Sequence, residues 1–268
     1  MWPVRIEAWL GGVFGLLIGS FLNVCIYRLP RDLSVVTPRS FCTECGTQIA
    51  WHENVPVLSY AVLRGKCKHC AKRISWRYPV VELTTAVLFA AVMSEYGFSL
   101  AALKWLIFES ILVALFWIDV EERLLPDVLT LSGTVFALLF AFFVPVPGIL
   151  AATLTSSLPP WAASLSEASA GALILAVPIW ALGRLYYFIR KREGLGFGDV
   201  KLLMMVGAFL GLEEGLIALT TGCVAGCVIG GAFILWKRHS ANTYELPLGS
   251  FLCAAAGLVP IISIPWFF

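Results

Sequence analysis

The 268-residue chain contains only four aspartates, Asp32, Asp119, Asp127 and Asp199, beside thirteen glutamates. Two of the four stand where a carboxylate is costly. Asp119 closes an apolar run in "FWIDVEERLLPDVLTLSG" (116–133), and Asp199 opens another in "GLGFGDVKLL" (194–203). Asp119 is expected at the C-terminal end of its helix, where the macrodipole disfavours negative charge. Asp199, following glycines, also suits a plain helix N-cap. Asp127 follows Pro126 and precedes an apolar run, which reads as an N-cap. Two neighbouring carboxylates cannot both ionise easily, so they share a proton. The ionised member can take a proton from water while the protonated member donates to a carbonyl oxygen. That is hydrolysis of a peptide bond by general acid–base catalysis. Gly194, Gly196 and Gly198 would let a backbone approach such a pair closely.

A second constellation lies in 39–78, "RSFCTECGTQIAWHENVPVLSYAVLRGKCKHCAKRISWRY". Cys42 and Cys45 form one Cys-x2-Cys pair, and Cys67 and Cys70 form another after 21 residues. Two such knuckles read as a tetrahedral zinc site with four thiolates. With four protein ligands the site is closed, so its metal is structural and helps fold a segment too small to stand alone. Two reduced thiol pairs, or a redox pair, are the alternative. His52 and His69 read as surface residues rather than ligands. Cys25, Cys223, Cys227 and Cys253 lie in apolar runs and read as small apolar residues without a function.

These residues need elements to hold them, and composition says which. Hydrophobic residues make up 59% of the chain, charged residues only 13%, and the mean hydropathy is +0.86. A soluble domain carries about 25% charged residues. The chain is therefore expected to be an all-α polytopic membrane protein. About eight transmembrane helices are expected, at 8–26, 79–96, 101–119, 127–145, 167–189, 199–212, 214–236 and 247–267, with a small zinc-binding insertion. The first run reads as a span rather than a cleaved signal peptide. The expected division is a first helix over 1–27, a four-cysteine zinc module over 28–78 and a membrane domain over 79–268. Lys and Arg crowd 28–78 and recur at Arg123, Arg190, Lys191, Arg192, Lys237 and Arg238. An eight-span weave puts them all on one side, the cytoplasmic one by the positive-inside rule, with both acids at that face. Ionisable groups at membrane depth are functional candidates. Trp2, Trp9, Trp161 and Trp266 read as an interface belt. Arg184 and the basic run 190–192 read as headgroup anchors, and Asn23 as a helix–helix hydrogen bond. No internal repeat stands out, and nothing calls for nucleic acid.

Several stretches together resemble one family. "GSFLNVCIYRLP" (19–30), "NVPVLSYAVLRGKC" (54–67), "ISWRYPVVE" (74–82), "DVEERLLPDVLTL" (119–131) and "GLGFGDVKLL" (194–203) run in the order of the bacterial type IV prepilin peptidases. These are bifunctional leader peptidases and N-methyltransferases. The resemblance implies an aspartic peptidase of the Gly-x-Gly-Asp type with Asp119 and Asp199 as its catalytic acids. It implies cleavage of prepilins and type II secretion pseudopilins at the cytoplasmic face of the bacterial inner membrane. Methylation of the new N-terminal residue from S-adenosylmethionine would follow, with zinc in the four-cysteine module.

The resemblance also places Gly65 on a position linked to methylation; otherwise it is a turn glycine beside a knuckle. Glu82 is a buried acid able to handle the amine, or a partner in a salt bridge to Arg77 or a structural hydrogen bond. Glu109, near the middle of its span, reads as bonded to a neighbouring helix or protonated. The chain departs from the family in two places: Glu121 stands where many members have a second aspartate, and Pro247-Leu248-Gly249-Ser250 where many have a Pro-Phe-Gly-Pro-like string. The rival reading is a transporter or proton relay with a zinc-stabilised cytoplasmic domain, which would place its acids near the membrane midplane.

Overall fold

The computed structural model describes residues 6–154, 158–191, 196–237 and 247–262. Gly194, Trp2, Trp266, Arg192 and Arg238 lie outside them. The described residues are helical apart from loops, turns and two isolated bridges, and contain no strand. Among the described residues, five helices are long and apolar enough to cross a membrane, and two shorter ones are apolar. The chain forms two compact units that divide inside one helix, between Ala114 and Leu115.

The first unit is built on α1 (Ile6–Arg28) and α3 (Arg77–Tyr96). The four-cysteine segment links them and contributes the short α2 (Leu58–Val62). One face of α1 is a ladder of small residues, Gly11, Gly15 and Gly19, all buried. A Cβ at Gly15 would stand 2.6 Å from Ala86 Cα and 2.7 Å from the Thr85 carbonyl oxygen. At Gly19 it would stand 2.7 Å from Glu82 Cα. Backbone therefore meets backbone, which is how helices associate when lipid removes the hydrophobic drive between them. The opposite face carries exposed Trp9, Val13, Leu17 and Phe21. Gly15→Leu is expected to destabilise the purified protein by about 1–3 kcal/mol, because nothing flexible lies opposite to give way. Gly12→Leu is the control, since a Cβ there meets its nearest atoms at 3.8 Å. Thermal unfolding of the two variants should separate them clearly.

Helix α4 (Leu100–Glu122) runs from the first unit into the second. The second unit continues with α5 (Asp127–Ala141), α6 (Ile149–Leu154), α7 (Pro160–Arg190) and α8 (Phe197–Ala225). A π-helical turn over Gly226–Gly230 leads into α9 (Gly231–Lys237), and α10 (Leu248–Ile262) closes the unit. The decisive feature is Gly211 inside α8, at φ 81° and ψ −173°. Only glycine adopts that conformation without strain. A Cβ on Gly215 would lie 3.5 Å from Gly207 Cα. Residues eight apart in a straight helix are separated by about 12 Å, so the chain doubles back at Gly211. The expected runs 199–212 and 214–236 are the two limbs of this hairpin.

Glu167 of α7, fully buried, fixes the bend. Its Oε1 accepts the Leu212 N–H at 3.0 Å, and its Oε2 accepts the Ala151 N–H at 2.9 Å. Both amides belong to backbone that a break or a helix start leaves unpaired. Gly171 of α7 and Gly207 of α8 face each other so closely that neither position has room for a Cβ. Buried Leu175, Ala168, Leu202, Met205 and Phe209 fill the rest of this core.

Candidate active site and metal centre

Asp119 is the fourth residue from the end of α4 and is 5% exposed. Ser250, near the start of α10, holds it. The Ser250 backbone N–H and hydroxyl both donate to Asp119 Oδ2, each at 2.6 Å. The N-terminus of a helix is rich in free N–H groups, so α10 offers the carboxylate what the end of its own helix cannot. Gly249 lets α10 come this close: a Cβ there would lie 3.1 Å from Asp119 Cγ. Asp199 is the third residue of α8, whose N-cap is Gly196. Leu125 contacts both Gly198, beside Asp199, and Gly249, beside Asp119, so the two carboxylates, eighty positions apart in the chain, come together within range of each other's charge. Cys253 of α10 is within electrostatic range of both acids.

Asp127 is not an N-cap. Pro126 occupies that position, and Asp127 is the first residue of α5. Its two oxygens accept from Lys201 Nζ at 2.6 and 2.7 Å, tying α5 to the first limb of α8 two residues beyond Asp199. Ser250, Lys201 and Glu167 were not singled out from the sequence. Their partners lie 131, 74 and 45 residues away or fewer, and no local signal marks such pairings.

Ser250 yields a direct test. Ser250→Ala leaves the N–H but removes one charged hydrogen bond, worth about 1.5–3 kcal/mol. If Asp119 works as a catalytic carboxylate, turnover should fall about 10- to 100-fold, since each 1.36 kcal/mol is tenfold in rate. Ser250→Thr, which keeps the donor, should recover most of it. Turnover measured at saturating substrate would decide.

In the first unit, the sulfurs of Cys42, Cys45, Cys67 and Cys70 all lie within 4.8 Å of one another, with Cys42 and Cys70 at 3.9 Å. Tetrahedral zinc–thiolate bonds of about 2.3 Å require sulfurs about 3.8 Å apart, so the four fit one zinc ion. The electrostatics agree. The Thr47 hydroxyl and N–H bring Cys45 down to about 6. The backbone N–H groups of Cys70 and His69 also lower Cys67. The Lys72 N–H favours the Cys70 thiolate too, but desolvation and the hydrogen bonds to the other thiols push Cys70 up to about 11. Such a donor set gives up its last protons to a divalent cation. Neither His52 nor His69 joins the cluster. Both flank Glu53 at 3.7 Å, and Lys68, at 2.7 Å, holds the Glu53 carboxyl below its usual range.

The two knuckles are copies of one another. "SFCTECGTQIAW" (40–51) and "GKCKHCAKRISW" (65–76) match at Cys, Cys, Ile and Trp with an offset of 25. Their hydrogen bonds match as well. Cys42 N–H donates to Thr47 O and Cys67 N–H to Lys72 O, while Ile49 N–H donates to Ser40 O and Ile74 N–H to Gly65 O. The sequence does contain an internal repeat, contrary to expectation, and it was hidden by its shortness.

Beneath the four-cysteine module a cavity of about 340 Å³ opens between it and the ends of α1 and α3, lined by Asn23, Tyr27, Tyr60, Tyr78 and Glu82 among others. Glu82 is 6% exposed and accepts the Val57 N–H at 2.7 Å. It therefore makes the structural hydrogen bond considered from the sequence. Gly65 does not line the cavity but supports it. Its φ is +66°, and a Cβ there would stand 3.0 Å from the Tyr60 ring. Asn23 bonds across to α3 as expected, donating to the Tyr78 carbonyl at 3.1 Å. Glu109 is buried in α4.

Known proteins resemble the chain along nearly all its length. Residues 13–96 match the family model described as bacterial peptidase A24 N-terminal domain, and residues 106–231 that of the type IV leader peptidase family. A "prepilin leader peptidase/N-methyltransferase" of Pseudomonas putida is 34% identical over 94% of this chain and 89% of its own length. Proteins of the same name from Myxococcus xanthus and Pseudomonas aeruginosa are 35% and 32% identical. These cover 96% and 93% of this chain, and 70% and 88% of their own. No solved structure matches.

Proposed function

Because the chain belongs to the type IV leader peptidase family, we propose that it cleaves the leader from type IV prepilins and type II secretion pseudopilins and then methylates the new N-terminus. The observation that carries the cleavage half is the meeting of Asp119 and Asp199, from the end of one helix and the start of another, within a single electrostatic site. A proton relay across the membrane would place its acids near mid-helix, and these two sit at helix ends.

The arrangement supports distinct roles. Asp119 Oδ2 accepts two hydrogen bonds, and donors aimed at a carboxylate favour its ionised form, so Asp119 acts as the base through its other oxygen, Oδ1. It takes a proton from a water molecule, whose oxygen attacks the scissile carbonyl carbon. Asp199 gives its proton to the carbonyl oxygen. When the tetrahedral intermediate collapses, the C–N bond breaks, the departing amine takes the proton from Asp119, and one of the two hydroxyls on the carbon returns its proton to Asp199 as the C=O bond reforms. The first limb of α8 thus carries the acid, and its position is set by the Gly211 hairpin, Glu167 and the Lys201–Asp127 pair. A prepilin helix lying in the bilayer would present its cleavage point at this depth without leaving the lipid. The excess of Lys and Arg near these helix ends, including Arg123 and Lys191, supports a cytoplasmic orientation of both acids and the four-cysteine module in the inner membrane.

Methylation is assigned to the first unit. Cys42, Cys45, Cys67 and Cys70 would hold zinc as a structural ion that shapes the cavity roof. S-adenosylmethionine, when bound, supplies an electrophilic methyl group. Glu82 serves the methylation site from the cavity floor, and Gly65 keeps Tyr60 in the cavity wall. The proposal is tested by incubating the purified full-length protein with a prepilin and S-adenosylmethionine and weighing the product. Loss of the leader together with gain of one methyl is expected. An intact prepilin from a folded enzyme would overturn the reading.

A further inference from the structure

Asn23, in the cavity wall, carries a buried acceptor without a partner. It is 2% exposed. Its Nδ2 donates to the carbonyls of Gly19 and Tyr78, at 3.3 and 3.1 Å. Those two acceptors fix the orientation of the amide, since a flip would set Oδ1 against two carbonyl oxygens. Oδ1 is then buried and has no hydrogen-bond partner. A buried acceptor without a partner costs about 1–3 kcal/mol, and polar atoms left this way in a cavity wall await a donor.

Glu82 lines the same cavity, and its Cα lies 2.7 Å from where a Cβ on Gly19, one turn before Asn23, would stand. Tyr78 and Glu82 are four residues apart on α3, as Gly19 and Asn23 are on α1, so both side chains rise from the same crossing. Glu82 accepts from the Val57 N–H and the Ser20 hydroxyl. A carboxylate has about four acceptor positions, so two remain. The Val57 contact has a cost of its own: Val57 sits at φ +60°, a strained conformation for a β-branched residue. Strain of this kind marks loops held in place for a purpose. Of the four Lys and Arg that line the cavity, Arg73 is exposed and the other three are engaged elsewhere. Arg28 donates to the Ser34 and Pro38 carbonyls, Lys68 pairs with Glu53 and Lys72 with Glu44. The floor thus holds acceptors with unused capacity beneath tyrosine rings, in a cavity of the size that binds small ligands.

We infer that Asn23 Oδ1 and Glu82 bind a primary ammonium group at the floor of this cavity. The inference rests on the methyltransferase reading, which supplies two sources of that chemistry: the amino-acid end of S-adenosylmethionine and the newly exposed N-terminus of the cleaved substrate. Asn23→Leu and Glu82→Gln, made in the full-length enzyme, separate them, with leader cleavage as the check on folding. Calorimetric titration with S-adenosylhomocysteine and with methylthioadenosine, which lacks the amino-acid end, reads the first source. If that source is the one held, both variants lose at least about tenfold affinity for the former and none for the latter. If the substrate amine is held, both keep these affinities and instead raise the KM for a pre-cleaved pilin about tenfold or more in methylation. Should Asn23→Leu fail to fold, Glu82→Gln decides alone, since it keeps the size of the side chain and an acceptor for Val57. Unchanged affinity and unchanged KM in the folded variants would overturn the inference. A wild type that neither binds S-adenosylhomocysteine nor methylates would instead sink the methyltransferase reading, and this site with it.

Discussion

Asp119→Asn and Asp199→Asn are each expected to reduce leader cleavage by about 10³-fold or more, and the double variant to be no worse than either single one. General acid–base groups contribute about 10² to 10⁴ each, and groups acting on one proton circuit fail together. Asparagine is the informative replacement. At position 119 it keeps an oxygen for the two Ser250 donors, so α10 stays docked while the base is gone. At position 199 it keeps the volume of the side chain at the start of α8 but cannot pass its proton to a carbonyl oxygen. Unfolding temperatures should therefore hardly move while turnover collapses. Two outcomes of the cleavage assay would contradict the mechanism. One is an additive loss in the double variant, which would mean independent roles. The other is a single variant that retains turnover.

The acids were legible because carboxylates are scarce in this chain and both interrupt apolar runs. The zinc-type cluster was legible because ligand spacing is a local property, and the structure brings all four sulfurs together. The break between the sixth and seventh apolar runs was also visible, since Glu213 and Glu214 interrupt hydropathy just after Gly211. Two features were present in the sequence but passed over. The glycines at 11, 15 and 19 look like filler within an apolar run until α3 is laid against them, and the 25-residue repeat is shorter than a domain. Asp127 was misread for a physical reason. Both Pro and Asp favour helix starts, and which one takes the cap depends on a partner, here Lys201, that the local sequence does not reveal. Ser250 shows the limit most clearly. It stands where the family often has a proline, which has no N–H to give, and its contact with Asp119 exists only because α10 returns to the end of α4. The unpartnered oxygen of Asn23 belongs to the same class, since an expected helix–helix bond accounts for its nitrogen alone.

Zinc removal should divide the two activities. Stripping the metal with a strong chelator, or replacing Cys67 with serine, is expected to abolish methylation and leave leader cleavage in place. The reasoning follows the division of the chain. Cys42, Cys67, Thr47 and Tyr60 line the cavity, whereas Asp119, Asp199 and Ser250 all lie beyond Leu115 in the second unit. A segment of this size has little apolar core, and structural zinc binding in zinc-finger peptides is worth about 10–16 kcal/mol. Without the ion, the paired knuckles lose their common centre, and the roof over Asn23 and Glu82 goes with them. Metal analysis of the wild type should give one zinc ion per chain, and the Cys67→Ser variant should hold little. The same mass measurement that detects leader loss then reads methyl gain in a single spectrum. A zinc-free enzyme that still methylates at the wild-type rate would show that the module does not shape the methyl-donor site. One that neither cleaves nor methylates would show that the aspartate pair depends on the four-cysteine module as well.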